Sequence, residues 1–145
     1  MKRILVCAIS VALLLCWLIP AAGAEADAVD RFCGAWAGDG VRVEIRYGDE
    51  TLECRAVFET GDGERDVWAY SACWYDEAED AVMCGGITRT SETYSSLFES
   101  WDETDWAMDD FCFARFDGSE SGLELIWSDD GLETPIVLQR SQAAE

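Results

Sequence analysis

The chain contains no histidine and no asparagine, and its only lysine is Lys2. Without histidine it has no side chain that titrates near neutral pH in an unperturbed state, which excludes imidazole bases and imidazole metal ligands. Without a lysine beyond residue 2 there is no Schiff-base nucleophile, and without asparagine there is no N-glycosylation acceptor. No recognisable nucleophile motif stands in their place. Acidic residues number thirty, so some pair of carboxylates falls at glycosidase spacing by chance, and spacing nominates neither an acid nor a base. These absences point to a protein that is not an enzyme.

Basic residues are scarce too, and the first of them belong to a leader. Met1-Lys2-Arg3 is a short basic segment, Ile4 to Ile19 is an apolar run broken only by Ser10, and Pro20 and Ala22-Gly23-Ala24 follow. That order reads as a signal peptide, residues 1–24, cleaved at an A-x-A-like site after Ala24. Residues 25–145 are then a single exported domain, secreted or held at the cell surface. The apolar run is shorter than the ~20 residues of a spanning helix, and Leu15 stands before Cys16 where a lipobox carries a small residue. Without Lys2 and Arg3 the ten basic residues fall to eight against thirty acidic ones, a formal charge of −22. Such a field repels nucleic acid and anionic lipid and attracts cationic ligands, cationic peptides or divalent ions. Neither a nucleic-acid partner nor membrane insertion of the mature domain is expected.

What is present reads as β-structure. Val41, Val43, Ile45 and Tyr47 alternate with Arg42, Glu44 and Arg46, and Leu52, Cys54, Ala56 and Phe58 alternate with polar residues, the period of half-buried strands. Gly48-Asp49-Glu50 and Gly61-Asp62-Gly63 are turns between them. Further strands are expected at Arg65 to Asp76, at Ala81 to Thr90 with a bulge near Gly85-Gly86, and at Tyr94 to Trp101. Phe111 to Asp117, Leu123 to Ser128 and Ile136 to Arg140 complete eight. Asp102 to Asp110 carries five carboxylates around Trp106 and reads as an exposed loop or short helical turn. The expected fold is all-β, an antiparallel up-and-down meander of eight strands closed into a barrel, with a β-sandwich as the alternative.

Five cysteines follow the leader, at 33, 54, 73, 84 and 112, and in an exported chain they imply a disulfide framework before a metal site. Cys73 and Cys84 flank the turn at Asp76 to Asp80, so a symmetric hairpin sets them opposite each other as a structural disulfide. Cys54, on the apolar face of its strand, is the expected leftover thiol. No cofactor and no metal are assigned. Calcium at the acidic loop is the alternative considered there, but no D-x-[DN]-x-[DN]-G pattern is present and a solvated acidic face accounts for the cluster.

Two binding sites are candidates. Trp68, Tyr70, Trp74 and Trp127, with Phe111 and Phe113, are candidates to line a cavity for a small aromatic or cationic ligand, although core packing uses the same residues. Trp101, Asp105 and Trp106 form the alternative, an exposed loop that anchors a protein partner or an inhibited target.

Phe32-Cys33-Gly34-Ala35-Trp36 and Arg140 carry a resemblance. Gly34-x-Trp36 ahead of the first long strand and Arg140 at the end of the last one resemble the lipocalin-like barrels. In these, the resemblance implies, the tryptophan closes the barrel floor and the arginine packs over its face. The chain departs from them in lacking the helix that usually follows the eighth strand. The run from Trp68 to Asp76, Cys84-Gly85-Gly86 and Leu125 to Asp130 are also similar to a group of small exported bacterial β proteins to which no activity attaches. The resemblances imply fold and export, and noncovalent binding as the role.

Overall fold

The computed structural model describes residues 28–48 and 51–141. The leader read at residues 1–24 lies outside the described residues, with Cys7 and Cys16. Residues 28–30 form a helical turn. Among the described residues no helix is long and apolar enough to cross a membrane.

From Arg31 onward the chain is one β unit. Its strands are β1 (Gly34–Gly38), β2 (Val41–Tyr47), β3 (Leu52–Gly61), β4 (Glu64–Asp76), β5 (Ala81–Ser95), β6 (Ser100–Gly118), β7 (Glu124–Asp129) and β8 (Ile136–Arg140). Each pairs antiparallel with the next, and β1 pairs with β8 through Trp36↔Arg140 and Ala37↔Gln139, so the meander closes on itself as a barrel. The Ser141 amide adds a bond to the Ala35 carbonyl at 2.9 Å. Closure of the ring removes the sandwich alternative.

Eight strands are present, but they are not the eight expected. β1 replaces the strand expected at Tyr94 to Trp101, whose middle is the tip of a long β5–β6 hairpin. Asp102 to Asp110, expected as a loop or helical turn, is β6 itself, in register with β5 through Asp102↔Thr93, Trp106↔Thr90 and Asp109↔Ile87. Its carboxylates are those of an edge strand, where charge is compatible with extended backbone and opposes edge-to-edge association.

The core follows from alternation. Val41, Val43 and Ile45 of β2, Leu52, Cys54 and Ala56 of β3, and Leu125 and Trp127 of β7 point inward and are buried. β4 to β6 break the period where Gly85-Gly86 interrupts the β5–β6 register. Gly86 sits at φ +65°, and a side chain there would meet Ser71 Oγ at 2.4 Å. This irregularity lets Cys84 and Ile87, three residues apart, both face inward. Trp68, Tyr70, Phe116 and Trp127 pack with Phe58 in one aromatic cluster, centroids 4.7 to 6.4 Å apart, with Phe116 stacked on Trp127.

Candidate functional site

Barrel closure is built around Trp36 and Arg140. Trp36 is fully buried and donates its indole N–H to the Phe32 carbonyl at 2.9 Å. The Arg140 guanidinium covers the ring at 4.2 Å from its centroid and donates to the carbonyls of Cys33 (3.0 Å), Arg31 (2.6 Å) and Gly122 (3.1 Å). Gly34 belongs to the same construction. Its φ is +129°, and a Cβ there would stand 2.9 Å from Arg140 Nη1.

The four residues considered for a small ligand do not share one cavity. Trp68, Tyr70 and Trp127 meet in the interior, packed against one another and against Phe58 and Phe116. Trp74 points outward, 45% exposed, against Phe113. Phe111 also lies outside, 94% exposed. The run from Arg65 to Asp76 is apolar on both faces because its outer face is apolar as well.

Beside the aromatic cluster lies a polar network that sequence reasoning missed. The Asp129 carboxylate, fully buried, accepts the Tyr70 hydroxyl at 2.5 Å, the Gly131 amide at 2.6 Å and the Cys112 thiol at 3.6 Å. Arg89 completes it, 3.8 Å from Asp129 and stacked at 4.6 Å over Trp68. Burial, and then the hydrogen bond to Asp129, push the Tyr70 hydroxyl far above the usual phenol range. Burial and the Asp129 charge raise the Cys112 thiol to about 11. The available signal was an arginine and an aspartate, Arg89 and Asp129, at inward positions of otherwise apolar strands. Such charges persist inside only when paired.

Cys73 and Cys84 stand directly opposite each other in the β4–β5 register. Both are buried thiols, as is Cys54, whose thiol is pushed well above the usual range by burial. Among the described residues no group of three or more Cys, Asp or Glu side chains is arranged to hold a metal ion.

The third constellation is the β5–β6 hairpin. Trp101 and Trp106 are five residues apart, and an odd separation sets two side chains of a regular strand on opposite faces. Here β6 carries one extra residue, Thr104, where Ser91 pairs with Asp105 but Glu92 pairs with Glu103. The bulge returns Trp101 to the face that Trp106 occupies. Trp106 is 60% exposed, and Met108 and Phe113 continue its face. Trp101 is held more closely, between Tyr94 (centroids 5.4 Å apart) and the Arg65 guanidinium (3.9 Å). Asp105 is exposed on the opposite face, its carboxylate accepting the Trp106 amide at 2.9 Å. Leu97 and Phe98 are exposed at the tip. An open groove of about 960 Å³ runs from Trp101 and Tyr94 across Arg65, Arg55 and Arg42, on side chains that alternate with the core positions of β2 and β3.

No family model, no curated protein and no solved structure matches this chain.

Proposed function

We propose that this chain is an exported, non-catalytic binding module of lipocalin-like architecture that recognises a basic polypeptide through its β5–β6 hairpin. One observation carries the reading. Trp106, Met108 and Phe113 stand exposed on one face of β6, while Asp105 and Asp109 stand on the other. Aromatic and methionine side chains ringed by polar groups are the composition of interface anchors. A soluble monomer has no energetic reason to leave several of them together in water. The charge selects the partner, since a chain with thirty acidic and ten basic residues attracts polycations at long range and repels polyanions. The small-ligand reading draws less support, because the aromatics considered for it are packed against each other or face outward.

The test is a titration of the full chain with a lysine-rich peptide, followed by tryptophan fluorescence. Saturable binding that weakens with salt and drops about tenfold or more in Trp106→Ala, at unchanged circular dichroism, is the expected result. Binding unaffected by Trp106→Ala removes the hairpin from the site.

A further inference from the structure

We propose that β6 takes the basic polypeptide as an added antiparallel strand along its own unpaired edge, Ser100 to Cys112. This rests on the partner-binding reading above and specifies how the partner is held. β6 pairs with β5 from Ser100 to Asp117, whereas β7 pairs with it only from Ala114 to Gly118. Phe113 ends the doubly paired stretch: its amide donates to Asp130 Oδ2 at 3.1 Å, and its carbonyl accepts the Asp130 amide at 3.2 Å. N-terminal to Phe113, no strand covers that side of β6 among the described residues.

The direction of the edge follows from two hydrogen bonds. The Tyr94 amide donates to the Gly63 carbonyl of the β3–β4 turn at 2.7 Å, so Tyr94 and, four residues back, Thr90 turn their main-chain groups toward β4 and away from β6. The Trp106 amide, in register with Thr90, donates to Asp105 Oδ1 at 2.9 Å. Thr90 and Trp106 are therefore a non-hydrogen-bonded pair, and the main-chain groups of Trp106, and of Met108 two residues on, point away from β5. The Phe111 amide is capped in the same manner by Asp109 Oδ1 at 3.0 Å. The chain alone thus blunts its edge with the carboxylates of the preceding residues, a protection that an incoming strand displaces. Main-chain bonds along such an edge supply affinity, and the flanking side chains supply selection.

Charge and face determine the occupant. Asp102, Glu103, Asp105, Asp109 and Asp110 flank the edge, and none of them enters an ion pair of the described residues. A second copy of this chain sets the same carboxylates against them, so self-pairing is opposed. A segment that alternates Lys or Arg with apolar residues matches both faces at once. Its cations lie beside Asp105 and Asp109, and its apolar side chains lie beside Trp106 and Met108.

The experiment uses the full chain and three capped synthetic peptides of alternating Lys and Val: one unmodified, one N-methylated at every Lys and one N-methylated at every Val. In an added strand the two sets of amides face opposite edges, and only one set meets β6. The expected result is that one methylated peptide binds about tenfold or more weakly while the other stays within about twofold of the parent. The parent is also expected to protect the Met108 amide from hydrogen exchange. Equal binding of all three peptides, weakened in Trp106→Ala, overturns the added strand and leaves the partner-binding reading standing. No binding of any peptide overturns both.

Discussion

The Arg140 guanidinium lies 4.2 Å above the Trp36 ring and reaches three main-chain carbonyls, those of Arg31, Cys33 and Gly122. One side chain thereby joins the segment before β1, the β7 approach and β8, and it does so where the β1–β8 seam is two residue pairs long. Arg140→Ala removes the stacking and three charge-assisted bonds and is expected to lower stability by about 2 kcal/mol. Arg140→Lys keeps the charge but has no planar fork to divide among three acceptors, so it recovers less than half of that loss. Urea unfolding checks both variants, and full recovery by lysine reduces the contact to its charge.

Asp129 concerns stability more than binding. Its carboxylate neutralises Arg89 and accepts Tyr70, Gly131 and Cys112 with no access to water. Asp129→Ala leaves the Tyr70 hydroxyl buried without its acceptor and the half-buried Arg89 without its counter-charge, and is expected to cost about 2 kcal/mol. Tyr70 and Gly131 donate to different oxygens of Asp129, so Asp129→Asn, with one carbonyl oxygen, keeps an acceptor for one of them, and its cost falls between wild type and alanine. Thermal melts of the two variants measure the order, and an alanine variant as stable as wild type removes the network from the stability of the barrel.

Particular residues show what the sequence made legible. β2 and β3 were readable because Val41, Val43, Ile45, Leu52, Cys54 and Ala56 hold an unbroken period of two. β1 was not, because Gly34-Ala35-Trp36-Ala37-Gly38 contains no β-branched residue. It is a strand by virtue of its neighbours, and Gly38 is needed there since a Cβ would meet the Val137 carbonyl oxygen at 2.2 Å. Trp106 and Asp105 could be singled out as exposed partner residues, yet the edge they lie on could not. The acids from Asp102 to Asp110 mask an alternation, Trp106 and Met108 against Asp105 and Asp109, that only the pairing with β5 reveals. The Arg89–Asp129 pairing was hidden for the opposite reason, since the two residues lie on β5 and β7 and no local pattern joins them.

The register of Cys73 with Cys84 predicts an oxidation product. Directly opposed antiparallel residues lie within the Cα separation that a disulfide spans. Cys73, hydrogen-bonded by the thiols of Cys54 and Cys84, is held below the usual thiol range and is the stronger nucleophile of the pair. Treatment with oxidised glutathione is expected to join Cys73 to Cys84, with the two thiol hydrogens passing to glutathione. The titratable thiols then fall by two, and stability rises by about 3 kcal/mol in the chain-entropy account. Cys54→Ser retains the bridge and Cys84→Ser loses it. A bridge that persists in Cys84→Ser assigns the pairing to Cys54 and Cys73 instead.

Alkaline pH bears on the same interior. Cys112 titrates at about 11 in the folded chain, above its ordinary value of 9.0, and the Tyr70 hydroxyl is raised further still by burial and Asp129. Both groups are neutral when protonated, so the fold holds their protons more tightly than the unfolded chain does. Their contribution is fully present below pH 9 and is lost as pH climbs through the unfolded thiol value toward the folded one. The melting temperature is therefore expected to fall between about pH 9 and 11. Cys112→Ala removes one of the groups so raised and is expected to flatten that fall, by about 5 °C for each kcal/mol of linkage it abolishes. A melting profile for Cys112→Ala that parallels wild type across this window assigns the alkaline transition to the other raised groups, Tyr70 and the buried thiols of Cys54 and Cys84.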